Sequence, residues 1–282
     1  MISEVPMRVR ARRLPPGWYP GTPEKARQAI ERLGKSLPER VRHEGVAGVV
    51  PHAGWEYSGS VAMDVLSCIS RDMDTIVIIG GHLGRTDQIV CAFEDAYETP
   101  FGQLSADAEL LEEIRQGVDL VEDRHADNTV EIQLPLIHAL MPSVRVLGMR
   151  APPSTVSEHL GEVIAGAALR LGRNVAVIGS TDLTHYGSNY DFSPMGGGEE
   201  AVRWVKEVND RRFIESLLAL DAPAALDRAL RERSACSAGG ALAAIGFARA
   251  RGITEGTLID YRTSYDVLPA ESFVGYAGVL YG

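Results

Sequence analysis

Short, fully apolar blocks alternate along this chain with longer segments whose apolar positions recur at helical spacing. Blocks of about four to eight apolar residues read as buried strands, and the longer periodic segments read as helices. The buried-strand candidates are Val46–Val50, Thr75–Ile79, Val144–Met149 and Asn174–Gly179. Gln88–Phe93 reads as an edge or hairpin strand, and Thr257–Tyr265 and Phe273–Tyr281 as closing strands. The predicted helices are Pro23–Leu33, Ser60–Ile69, Ala106–Arg115, Val130–Leu140, Val156–Leu171, Glu199–Leu220, Ala222–Arg231 and Ser237–Arg249. Thr22 is placed to cap the first of these, Pro23 sits in its first turn and Gly34 stops it. Gly196–Gly198 reads as a hinge or turn. No repeat or low-complexity linker divides the series, so residues 1–282 form one α/β domain, a mixed central sheet with helices on both faces.

Three predicted strands run straight into loops that carry a histidine. Val46–Val50 leads to His52, Thr75–Ile79 to His82, and Asn174–Gly179 to a loop holding Asp182 and His185. If the strands are parallel, these loops gather at their carboxyl ends, the edge where open α/β sheets bind ligands. A lone histidine after a strand is usually an ordinary polar loop residue. Three of the seven in the chain sharing this context favour one site. His43, His138 and His159 have no such context and read as surface or helix residues, while His125 sits in a polar loop with Asp123 and Asp127.

Two imidazoles suit iron, copper, zinc or nickel, and a third ligand is needed. Cys236 opens a segment that leads into an apolar helix, where unpaired N–H groups lower a thiol's pKa. It reads equally as a soft ligand or as a small core residue. Cys68 and Cys91 lie inside a predicted helix and strand and read as core. Glu131 reads as a helix cap, as a partner of a metal-bound histidine or as a ligand, and Asp182 as either of the last two. Trp55, Tyr57 and Tyr186 could stack on a planar ligand, but packing is the better reading of each.

Composition narrows the partners. The formal net charge is −10, which disfavours nucleic acid and anionic membranes. The one basic stretch, Arg8, Arg10, Arg12 and Arg13, reads as a solvated arm lying on the domain. No apolar run approaches the roughly 20 residues needed to cross a bilayer. Three cysteines without framework spacing read as free thiols, and the expected compartment is the cytosol.

The segments Pro51–Gly54 with Tyr57–Ser60, Gly80–His82, Thr129–Pro135, Ser180–Gly187, Cys236 with Gly239, and Gly275–Gly278 occur in order over nearly the whole chain. Together they resemble the Memo-like family, which shares its fold with the class III extradiol ring-cleaving dioxygenases. The resemblance implies a metal held by His52, His82 and Cys236, with His185 where the dioxygenases keep an acid–base histidine. It puts Asp182 and Glu131 in the same pocket. One departure stands out: Asn128 occupies a position where the family usually carries histidine.

Two functions are expected to compete. One is an oxygenase-like or redox enzyme that uses Fe(II), a small aromatic or enolic substrate and O₂, with His185 moving a proton and Asp182 orienting it. The other is a non-catalytic copper- or iron-binding protein with a vestigial dioxygenase site, which the thiolate ligand favours. A hydrolase using zinc-bound water is a distant third. Ring cleavage does not follow from the fold alone.

Overall fold

The computed structural model describes residues 6–34 and 44–282, so His43 lies outside the described residues. Strand β1 (Val9–Arg10) and helix α1 (Pro23–Leu33) precede β2 (Ala47–Val50), α2 (Trp55–Ser67) and β3 (Thr75–Gly80). Next come β4 (Val90–Cys91), β5 (Ala96–Thr99), β6 (Gly102–Ser105), α3 (Ala108–Arg115), β7 (Val121–Glu122), α4 (Asn128–Glu131) and α5 (Leu134–Leu140). The middle of the chain supplies β8 (Arg145–Arg150), α6 (Thr155–Leu171), β9 (Val175–Ser180) and β10 (His185–Tyr186). Helix α7 (Glu199–Trp204), a π-helical stretch at Val205–Asn209, α8 (Asp210–Leu218), α9 (Ala222–Glu232) and α10 (Ala238–Ala250) follow. The described chain closes with β11 (Thr257–Thr263), α11 (Ser264–Val267) and β12 (Phe273–Tyr281).

The large sheet runs β10-β12-β2-β9-β3-β8-β4-β7, with β11 paired to β12. Its centre, β2, β9, β3 and β8, is parallel, and β12 and β4 flank it in antiparallel sense. The mixed sheet expected from the sequence is therefore present, and its strands β2, β3 and β9 are buried along their whole lengths. Apolar side chains of α6 and α10 pack on one face, with Leu160, Ile164 and Phe247 in that core. Those of α2 and α5 pack on the other, with Leu66, Leu136 and Ile137. No helix among the described residues is long and apolar enough to cross a membrane.

Some boundaries differ from the sequence reading. Helix α2 starts at Trp55, not Ser60, because Gly59 packs inside it against Leu33 of α1. Tertiary contact there outweighs glycine's poor helix propensity. The predicted helix Val130–Leu140 is split into α4 and α5. Pro135, which lacks an N–H, stands at the start of α5, and Gln133 between the two turns its amide to the Pro51 carbonyl at 2.7 Å. Helix Glu199–Leu220 is interrupted by the π-helical stretch.

The arginine-rich arm is not simply solvated. Its Val9–Arg10 pairs with β5 in a small sheet of order β1-β5-β6. Arg10 donates to the carbonyls of Asp123 and His125, each at 2.7 Å, and Arg12 lies 3.4 Å from Glu98. His138 is buried in α5 with its Nδ1 2.6 Å from the Thr99 hydroxyl, whereas His159 is exposed.

Candidate metal centre

The loops after β2, β3 and β9 emerge at one edge of the sheet because these strands are parallel neighbours. Helix α10 brings Cys236 to the same edge. Its Gly240 lies against the Ile79 carbonyl and the Ser180 amide so closely that a Cβ there would collide with backbone. Only glycine lets this helix start so near the two strand ends. The donor atoms of His52, His82 and Cys236 all fall within 4.8 Å of one another. Asp182, His185 and Cys236 form a second such group, also within 4.8 Å.

His52 is 1% exposed and tightly fixed. Its backbone N–H donates to Asp182 Oδ1 at 2.7 Å, and its ring Nδ1 lies 3.3 Å from Ser180 Oγ. The Ser180 hydroxyl donates its one hydrogen to the Thr129 carbonyl at 2.7 Å. Towards His52 it must therefore accept, which puts the ring proton on Nδ1 and leaves the Nε2 lone pair facing the site. Burial, helped by the nearby imidazoles of His82 and His185, holds His52 below the usual imidazole range although Asp182 opposes it.

Cys236 Sγ lies 3.2 Å from His52 Nε2. Burial, reinforced by the Asp182 carboxylate, outweighs the backbone contacts that lower this thiol and pushes it well above its ordinary value, against the direction the sequence predicts. A neutral S–H then points at a neutral imidazole nitrogen. A metal ion fits this donor pair by displacing that proton, since thiolate ligation releases one on binding. Nitrogen and sulfur donors at this separation suit iron, copper or zinc.

His82 differs in setting. Its side chain is 43% exposed, and its Nδ1 lies 3.5 Å from Asp127 Oδ2. Its ring meets that of His52 edge-on, with centroids 5.1 Å apart. Burial would raise the Asp127 carboxyl, but contacts from His82 and Thr129 outweigh it and hold it below the usual carboxylate range.

His185 Nε2 is buried without a hydrogen-bond partner and lies 3.8 Å from Asp182 Oδ2. Burial alone would raise Asp182, but the imidazoles of His52 and His185 win and keep it ionised. Both residues line a cavity of about 490 Å³ that opens beside the histidines. Trp18, Tyr57, Tyr190 and Tyr276 supply its aromatic walls, with Leu268 and Val274.

Asn128, the departure from the family pattern, also lines the cavity and donates to the His52 carbonyl at 3.1 Å. Glu131 does not join the site. It accepts from the amides of Arg13 and Leu14 and from the Tyr19 hydroxyl, at 2.8, 3.0 and 2.8 Å, and so ties down the N-terminal segment. Of the aromatic candidates only Tyr57 lines the cavity. Trp55 donates to the Ile132 carbonyl inside the core, and Tyr186 stacks on Phe273. The sequence reading gave no role to Ser180, Gln133 or Asp127, nor a site role to Trp18, Tyr190 or Tyr276. Ser180 and Gln133 lie within the segments that carry the resemblance, which is the one signal that could have drawn attention to them.

Comparisons with known proteins agree over nearly the whole chain. The family described as Memo-like protein matches residues 10–280. A MEMO1 family protein of Thermococcus onnurineus is 33% identical, over 94% of this chain and 96% of its own. One of Pyrococcus abyssi is 35% identical, over 90% of this chain and 92% of its own. Among solved structures, an uncharacterized protein of Escherichia coli K12 covers 84% of this chain and 99% of its own, with a TM-score of 0.56. At 13% identity that likeness concerns the fold alone.

Proposed function

The chain belongs to the Memo-like protein family, and on that premise we propose that it is a metal-dependent, oxygenase-like redox protein acting on a small aromatic or enolic molecule. In this reading His52, His82 and Cys236 hold Fe(II), with copper or zinc as alternatives. The observation that carries it is the unpartnered Nε2 of His185, set over the ionised Asp182 beside an aromatic-walled cavity. A storage site needs ligands but no such poised base.

Bound iron would supply Lewis acidity and a place where substrate and O₂ share electron density. The protein's own part is separable. Tyr57, Tyr190 and Tyr276 flank a planar ligand, and Trp18 closes one wall of the cavity. The His185 imidazole takes the proton of an acidic substrate hydroxyl, and Asp182 stabilises the imidazolium that results. The same carboxylate fixes the His52 backbone, so acid–base group and ligand share one anchor.

A second reading is a copper- or iron-binding protein without turnover. The sulfur donor favours it, because thiolate suits Cu(I) as well as iron. Anaerobic loading with Fe(II), followed by an oxygen-electrode screen against catechols and aminophenols, separates the two. The enzyme reading expects O₂ uptake that depends on a phenolic substrate. His185→Gln should keep its iron and lose about 100-fold or more in rate. Iron retained with no O₂ uptake from any of the panel would leave the binding reading in its place.

A further inference from the structure

His82 has little of its own surroundings to orient it, yet a chain of charged contacts reaches it from the N-terminal strand. Its Nδ1 faces Asp127 Oδ2 at 3.5 Å. Asp127 is itself held at its other oxygen by the Thr129 amide at 2.9 Å and by the Thr129 hydroxyl. Arg150 Nη1 lies 3.7 Å from the oxygen that faces His82. Arg150 ends β8 only 8% exposed, and its Nε and Nη2 grip the two oxygens of Asp123 at 2.9 and 2.7 Å. Arg10 of β1 then clamps the same loop from outside. It donates to the carbonyls of Asp123 and His125 and lies 3.2 Å from Asp123 Oδ2.

The backbone next to His82 is shaped to the same partner. Gly81 has φ of +102°, and a Cβ there would strike the Arg150 stem. Arg150 thus buttresses the turn that carries His82 while its guanidinium fixes the carboxylate that faces the ring. An acceptor at Nδ1 keeps the ring proton there and frees Nε2 for a metal.

We propose that Asp127, Arg150 and Arg10 are positioning residues for His82, and that docking of the N-terminal strand and loading of the metal centre are coupled through them. This rests on His82 being a ligand. The same N-terminal segment carries Trp18, whose carbonyl accepts from the Trp55 amide at 2.9 Å and whose side chain walls the cavity. One segment therefore shapes both the substrate side and the ligand side of the site. Coupling of this kind is reciprocal: whatever factor the docked strand adds to metal affinity, the metal adds to docking.

The test uses the full chain and Co(II), whose thiolate charge-transfer and d–d bands report the ligand set. Affinity comes from competition with a chromophoric chelator at fixed salt. Asp127→Asn should weaken binding about 10- to 100-fold and alter the bands. Arg10→Gln, at the partly exposed outer end, should weaken it about three- to tenfold with little change in apo-protein melting. Arg170→Gln is the matched control, because Arg170 pairs with Glu113 between α6 and α3, outside both the N-terminal segment and the His82 loop. It should bind Co(II) like wild type. Co(II) should also slow trypsin cleavage after Arg12 and Arg13 in wild type, and less so in Arg10→Gln. Asp127→Asn and Arg10→Gln both binding within twofold of wild type would overturn the proposal. So would an equal loss in Arg10→Gln and Arg170→Gln. If His82→Ala itself leaves Co(II) binding and spectrum intact, His82 is no ligand, and the proposal falls with the reading beneath it.

Discussion

The two imidazoles of the centre stand at the ends of β2 and β3, with only β9 between them, and they are held by opposite means. His52 is sunk in the protein, its backbone held by the Asp182 carboxylate and its ring oriented by neutral hydrogen bonds running through Ser180 to the Thr129 backbone. His82 is almost half exposed and oriented by ion pairs that end in Arg10 on another sheet. Burial fixes the His52 ring, whereas the His82 ring reaches solvent although the Asp127, Arg150 and Asp123 side chains behind it are largely buried. The proposed centre thus joins a fixed imidazole to an adjustable one.

The largest effect expected of this contrast is on folding. His52→Ala should cost the apo-protein about 2–4 kcal/mol in denaturant unfolding, because it breaks a buried network and leaves a cavity. His82→Ala should stay within about 0.5 kcal/mol of wild type, as exposed substitutions do. Both should lose metal, and equal destabilisation by the two would remove the distinction drawn here. A smaller effect is expected from Ser180→Ala, which strips the acceptor from His52 Nδ1. About 1–3 kcal/mol of stability should go with it, and metal affinity about tenfold. Unchanged affinity in that variant would mean that Ser180 does not set the ring's proton.

The smallest effect is on pH dependence. Burial depresses His52 below its ordinary 6.5, so its contribution to stability is complete above that value and is lost as pH falls below it. Melting curves of wild type between pH 7 and pH 5 should therefore drop more steeply than those of His52→Gln. Parallel curves would show that the buried ring does not titrate with unfolding.

Much of the fixed half was legible in the sequence, and little of the adjustable half. A parallel strand buried on both faces leaves an unbroken apolar block, so the ends of β2, β3 and β9 could be read and their histidine loops gathered. His185 followed from the same edge, and Cys236 from its place before an apolar helix and from the resemblance. Asp127, Arg150 and Arg10 left no such mark, since each is an ordinary charged residue until the fold brings three distant segments together. Glu131 shows the converse. Its position in the resemblance pointed to the pocket, but the N-terminal amides of Arg13 and Leu14 claim its carboxylate. The Cys236 thiol was misjudged because the local helix-end effect is visible in sequence, whereas the burial and the Asp182 charge that outweigh it are not.

The order β2-β9-β3 also fixes the gauge of the centre. Hydrogen-bonded strands lie about 4.8 Å apart, so the ends of β2 and β3, from which the His52 and His82 loops leave, are two rungs, or roughly 10 Å, from each other. Mutation cannot stretch or shrink that span by fractions of a rung. What can vary is the course of the two loops and the lean of the two rings across the mouth of β9.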